Sequence, residues 1–495
     1  MRVSEYFDLG RTQPELDFVD VDIYGDVPLF LDPRAIRLLE NDWGAACVSL
    51  IQDFFTYLLT LIRAGNSVRA SRLLASPGEP NETHLGLSSG RARGRGMGPE
   101  LGTKVHEALA ASEAIKTGLL EDLEETVLMV ENISFDRVSD IATNIMRGRL
   151  IQYTQDMAEE YSIPLTPDVD SGPVWEPTER RWIRQYVQLP RTKYGKLLLV
   201  PKAIVRRKLN MDPGEYYNGY VLEELREFEF SNPAQELVVL LKNGKMVVRS
   251  KDLIDKYGQG KRRAVEYTKQ YPRALERYRA DKSRDIKPGL NNWELAEAIG
   301  TPPPQYGSLL GAVLKAMPGK ADADIFHRAV QYLFTALFDP CLVYPHREVK
   351  IHDGRKRIDI TFANMQTEGF FKWVGANYSA QHIIIECNNY SGDPSNPELD
   401  QLSGRFSSSR GKVGLLVCRN FDDKERFIQR CRDTAMDQRS FIIPLDDDDL
   451  STLVEAAIEG GDAPMYEILK DSFDRLTNHS YQRGKPVLRF FPEPE

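Results

Sequence analysis

Between Arg347 and Tyr390 the apolar positions follow the two-residue period of strands. Glu348 to Ile351 and Arg357 to Phe362 flank His352-Asp353-Gly354, which predicts two strands joined by a tight turn. In the second strand Ile358, Ile360 and Phe362 share one face, and Arg357, Asp359 and Thr361 the other. Ile383 to Asn388 predicts a third, buried strand, with Glu386 and Asn388 on one face and Cys387 opposite. Upstream, Phe326, Val330, Phe334 and Leu337 recur at helical spacing and predict a helix from Asp324 to Leu337. Downstream, a helix is expected from near Glu398, a fourth strand at Val413 to Cys418, a last strand at Phe441 to Leu445, and helices at 450–458 and about 464–476. Asp446 to Asp449 stand at a helix entry, where acids suit the N-terminal dipole, so they are not read as a metal site.

Two acids break this apolar pattern. Asp359 lies among isoleucines, and Glu386 ends a run of three isoleucines. An unpaired buried carboxylate is costly, so two on neighbouring strands suggest a divalent cation held by oxygen ligands. A strand ion pair of Asp359 with Arg355 or Arg357, and a strand-end role for Glu386, are the structural alternatives.

The order helix, hairpin, third strand, helix, fourth strand resembles the PD-(D/E)XK nuclease superfamily, the restriction-endonuclease-like fold. Gln401-Leu402-Ser403-Gly404 is similar to the helix glutamine of its Mrr-like members. The resemblance covers about residues 320–450. It implies catalytic roles for Asp359, Glu386, Asn388 and Gln401. It implies a metal site from Asp359, Glu386 and the Cys387 carbonyl, with Mg²⁺ (or Mn²⁺) as cofactor. It implies phosphodiester hydrolysis on DNA, ahead of RNA, in a bacterial restriction or phage-defence effector. A homo-oligomer or a defence-system protein are further expected partners. Two positions depart from the family. Asn388 occupies the place of the E-x-K lysine, and Phe326 is followed by His327 where a glutamate often stands. Asn hydrogen-bonds but supplies no cation; Lys350, Lys356, Arg405 and Lys412 are cations nearby in sequence. A nuclease-fold module that binds nucleic acid or a partner protein without turnover is therefore the alternative.

The rest of the chain is less regular. Asp32 is expected to cap a helix beginning at Pro33, and helices are expected at about 34–41 and 43–64, with Leu50, Phe54, Leu58 and Ile62 on a core face. Ser88 to Gly98 reads as a flexible Gly- and Arg-rich loop, with phosphate contact as the lesser reading. Residues 104–161 read as helices, with Asp136 and Asp140 in capping or ion-pairing roles beside Arg137 or Arg147. Leu197 to Pro201 reads as a buried strand, and Lys242-Asn243-Gly244-Lys245 as a hairpin turn.

Pro-rich breaks divide the chain into a mainly helical domain at 1–165, a mixed α/β domain at 166–300, a restriction-endonuclease-like α/β/α domain at 305–460, and a tail at 461–495. The fold class is α+β multidomain.

Charge adds one feature. The chain carries a formal net charge of −9, yet residues 242–287 hold fifteen Lys/Arg against six acids. Tyr257, Tyr267, Tyr271 and Tyr278 are interleaved, a pattern that suits phosphate and stacked bases, although a solvated helical linker has the same composition. Lys261, Arg262, Arg263 and Arg405 are the candidate nucleic-acid contacts. The five cysteines form no C-x-x-C, the N-terminus has no signal-like apolar run, and Phe54 to Ile62 is short of a membrane span. A cytoplasmic protein with no membrane contact is expected. There is no Walker A, H-E-x-x-H or G-x-S-x-G motif.

Overall fold

The computed structural model describes residues 1–39, 41–87, 99–232, 234, 236–284, 289–351, 356–366, 368–391, 399, 402–407, 411–436 and 440–477. The chain is mixed α and β and divides into two units, Met1–Pro304 and Gln305–Glu495. The Gly- and Arg-rich stretch 88–98, the His352-Asp353-Gly354 turn and Gln401 lie outside the described residues.

In the first unit, residues 1–165 and 166–300 fold together rather than as two domains. Phe30–Leu31 pairs antiparallel with Val205–Arg206. The Tyr153 hydroxyl donates to Asp17 at 2.8 Å, and the Asp17 carbonyl accepts from Lys202 N at 2.9 Å. Asp32 caps Pro33–Ile36 as expected, accepting from Arg34 N. The helix Asp42–Arg63 is long and apolar enough to cross a membrane, more so than its sequence suggests. It buries Phe54, Phe55 and Leu58 within the unit, where Phe54 meets Trp175 edge to face. Leu197 to Val200 is fully buried but is not a strand. Its amides bond singly to scattered partners, Leu198 N to the Glu82 carbonyl and Leu199 N to Thr154 Oγ1, so no ladder forms. The expected N-G hairpin is present: Val239–Leu240 pairs with Met246–Val247, and Gly244 turns at φ +79°.

The second unit is built on one five-stranded sheet. Its elements are α1 (Tyr306–Lys315), α2 (Ala323–Leu337), β1 (Leu342–Ile351), β2 (Lys356–Asn364), α3 (Gly369–Tyr378), β3 (His382–Ser391), β4 (Val413–Asn420), α4 (Lys424–Met436), β5 (Phe441–Leu445), α5 (Asp447–Gly460) and α6 (Asp462–Thr477). The strand order is β1-β2-β3-β4-β5. The first two pairings are antiparallel and the last two parallel. Leu399 and Leu402–Ser403, between β3 and β4, are helical.

Ile358, Ile360 and Phe362 on β2 and Ile383 and Ile385 on β3 are buried in one core with Phe326, Val330 and Phe334 of α2. Helix α6 packs on both α3 and α4 and contributes buried Met465, Leu469 and Phe473. Residues 462–477 are therefore part of the unit and not a tail. Asp446 caps α5, accepting from Asp449 N, as the acidic helix entry implied.

Candidate functional site

The β2–β3 register decides where the two acids lie. Ile360 faces Ile385 and Thr361 faces Ile384, so the same register carried one step sets Asp359 opposite Glu386. Opposed residues of an antiparallel pair share a face, with Cβ atoms typically about 4.5–5.5 Å apart. Asp359 Oδ2 accepts a hydrogen bond from Cys387 N at 3.1 Å, which ties the acid to the main chain just beyond Glu386. Alternation thus sets the two side chains on the same side of the sheet, opposite Ile358, Ile360, Ile383 and Ile385.

Glu386 is 7% exposed and ion-paired with Arg405. Its Oε2 faces the guanidinium, while Oε1 is buried without a hydrogen-bond partner among the described residues. Arg405 reaches it because the chain turns tightly at 402–406, where Arg405 N donates to the Leu402 carbonyl at 2.9 Å. Phe406 then packs into the core directly over Gly414 of β4. A Cβ at 414 would lie 2.7 Å from the Phe406 ring and 2.6 Å from the Ile384 carbonyl, so a side chain there would displace the turn that carries Arg405.

Asn388 lies two residues along β3 on the Glu386 face. Its Nδ2 points to Cys418 Sγ across the parallel β3–β4 pair, at 3.9 Å. Cys387 is fully buried and its thiol is pushed well above the usual range, first by burial and then by Asp359. Alternation turns its side chain away from the Glu386 face, so toward that face Cys387 presents only its main chain. Asn389 fixes the strand beyond: Nδ2 donates to the carbonyls of Met317 at 2.8 Å and Gly319 at 2.9 Å, and Gly319 N donates back to the Asn389 carbonyl. Arg419, which the sequence did not single out, donates to the carbonyls of Val313, Leu314 and Ala316 and pairs with Asp447 at 3.0 Å. An arginine closing an apolar strand was its one sequence signal.

The donor chemistry fits a hard divalent cation: two carboxylates, one with a buried oxygen lacking a partner. Among the described residues no group of three or more His, Cys, Asp or Glu could hold a metal. The Cys387 main-chain carbonyl is the further oxygen that the resemblance assigns to the site.

The basic segment is largely engaged in folding. Lys261 Nζ donates to the carbonyls of Val130 at 2.9 Å and Ile133 at 2.6 Å, and burial lowers its pKa to about 8. Arg263 pairs with Glu266, Arg279 with Glu121 and Glu125, Lys282 with Glu215, and Lys256 with Glu229. Arg262 remains exposed, 4.0 Å from Glu131. Tyr267 and Tyr278 are buried, and Tyr278 packs against Tyr216 and Tyr220, so these two rings belong to the core rather than to a stacking surface. Of the two cations expected beside Asp136 and Asp140, Arg137 lies near both, whereas Arg147 pairs with Glu82; the Asp140 carboxyl is pushed well above its ordinary value by burial and by Asp136 and Glu79.

No curated protein and no solved structure matches the chain. Residues 8–212 match the family described as Domain of unknown function (DUF8370), a match that spans the expected boundary at 165 and lies wholly within the first unit.

Proposed function

We propose that the second unit is a restriction-endonuclease-like α/β/α module of the PD-(D/E)XK type, acting on DNA in a cytoplasmic restriction or phage-defence effector. The observation that carries this reading is the β2–β3 register at Ile360 and Ile385, which carried one step further sets Asp359 opposite Glu386 on adjacent strands. The order helix, antiparallel hairpin, third strand and parallel fourth strand supports it. Asp359, Glu386 and the Cys387 carbonyl would hold Mg²⁺ or Mn²⁺, which when bound polarises phosphate and lowers the pKa of water. The chain's own residues set the rest. Cys387 N fixes the Asp359 carboxylate. Asn388 positions a phosphate oxygen by hydrogen bonding without adding charge. Arg405 brings a cation to Glu386. Gln401 is assigned to the same site by the Mrr-like resemblance alone.

Asn388 favours a second reading, a module of the same fold that binds nucleic acid or a partner protein with little turnover. Loss of one preorganised electrostatic donor costs roughly 100- to 1,000-fold in rate. The test compares the given protein, Asn388→Lys, and Asn388→Lys with Asp359→Ala on DNA and RNA with Mg²⁺ or Mn²⁺. The nuclease reading expects weak cleavage, a gain with Lys, and loss of that gain with Ala. A Lys variant that binds Mn²⁺ yet cuts no substrate would favour the binding module.

A further inference from the structure

We infer that the hairpin of residues 239–247 in the first unit, together with residues 248–251 that lead into the helix Ser250–Tyr257, is a DNA-contacting wing. Lys242, Lys245, Arg249 and Lys251 are exposed and, unlike most cations of the basic segment, make no ion pair among the described residues. No acid lies between Val239 and Lys251, so this short stretch carries four net positive charges on a chain of net charge −9. The electrostatic reading of 242–287 therefore narrows to its first ten residues, and the candidates Lys261 and Arg263 give way to these four.

A second observation points the same way. Leu240 and Met246 face each other across the hairpin and are 69% and 53% exposed. Two large apolar side chains held in water beside a cationic turn are costly without a surface to receive them. In the major groove, apolar side chains beside Lys and Arg find such a surface against base edges, the thymine methyl above all.

The hairpin is also held in advance of binding. Arg226 Nε donates to the Val248 carbonyl at 3.1 Å and Nη2 to Ser250 Oγ at 2.9 Å, and Val248 is buried beneath the base of the ribbon. A ribbon fixed this way loses little entropy on binding. The major groove of B-form DNA admits a two-stranded ribbon, whereas the A-form major groove is too narrow for side chains to read. Duplex DNA is thus the partner that fits. A membrane surface fits less well, because interfacial binding needs an extended apolar face and this hairpin offers two residues. The proposal extends the nucleic-acid half of the function proposed above to a second surface and does not depend on cleavage.

The test uses the full-length protein in EDTA, so that a failed nuclease reading and a failed wing reading are separable. Binding to a duplex of random sequence is measured by fluorescence anisotropy across a salt series. Each phosphate contact contributes about 0.9 to the slope of log affinity against log salt. Replacing Lys242, Lys245, Arg249 and Lys251 together by Ala is expected to reduce the slope by roughly 3 to 4. Lys→Arg at 242, 245 and 251 should leave it unchanged. Leu240→Ser with Met246→Ser is expected to weaken binding by about tenfold at unchanged slope, since burial of apolar area is salt-insensitive. An unaltered slope in the Ala variant, no duplex binding at low salt, or binding to anionic vesicles in preference to duplex would each overturn the proposal.

Discussion

Arg405 and Glu386, nineteen residues apart, form an ion pair on the face of the sheet where Asp359 also stands. The guanidinium occupies one carboxylate oxygen and leaves the other buried without a partner. The pair neutralises the Glu386 charge, so a divalent cation held there as proposed above would compete with Arg405 for one carboxylate.

Removing that competitor has two opposed effects. Without metal, Arg405→Ala leaves Glu386 buried and uncompensated, a change that costs about 3–5 kcal/mol when a fully buried pair is broken and less here because both side chains keep some exposure. With Mn²⁺ present, the freed carboxylate binds the ion more tightly. Thermal unfolding should show a lower midpoint for the variant in EDTA and a larger Mn²⁺-induced rise than in the parent. Equal Mn²⁺ shifts in the two proteins would remove Glu386 from the metal site.

Asp447 gives the second unit a pH dependence. Arg419 lies 3.0 Å away and favours the carboxylate, yet burial outweighs it and raises the pKa from 3.8 to about 6. The buried, unbonded Oδ1 accounts for that order of effects. Between about pH 4 and 6 the folded form keeps a proton that the unfolded chain has lost. This contribution to stability falls as pH rises through that window and is constant above it. Asp447→Asn should flatten the curve of melting temperature against pH across the same interval. A decline as steep as the parent's would assign the proton to another group.

Phe473 measures how far α6 belongs to its unit. Its ring meets those of Phe370, Trp373, Tyr378 and Phe441. Phe473→Ala should destabilise the second unit by about 3–5 kcal/mol. Urea unfolding of the full chain, followed by tryptophan fluorescence, reads this as an earlier transition. A cost below about 1 kcal/mol would make the helix an accessory.

The five cysteines are free and buried, and burial pushes the thiols of Cys47 and Cys431 up to about 12. A thiol reagent at pH 8 should label none of them in the native protein and all five in denaturant. Rapid native labelling at any site would show local opening there.

The sheet of the second unit was legible because its inner strands are apolar runs of strand length rich in β-branched residues: in β2 the buried Ile358, Ile360 and Phe362 follow the two-residue period, while in β3 Ile383, Ile384 and Ile385 are all buried. The start of β1 was hidden: Pro345 sits within it, where the register slips between Val343 and His346. Helix α3 carries no clear helical signal in the sequence because it opens on Gly369, contains Gly375 and is only ten residues long. The shared face of Asp359 and Glu386 followed from alternation. The partner of Glu386 did not, since Arg405 arrives from a turn whose position depends on Phe406 packing over Gly414. In the basic segment the charges masked a second pattern: Tyr267 and Tyr278 lie on two successive helices, Lys261–Gln270 and Arg273–Arg284, and both are buried.

The main chain around residue 388 is pinned from both sides, by Cys387 N on Asp359 and by the Asn389 contacts to Met317 and Gly319. A change of side chain at 388 therefore alters charge without moving the strand. Asn and Lys codons differ only in their third base. In a frame this fixed, one nucleotide separates a neutral position from a cationic one, and mutation can revisit that choice in either direction without first dismantling the fold.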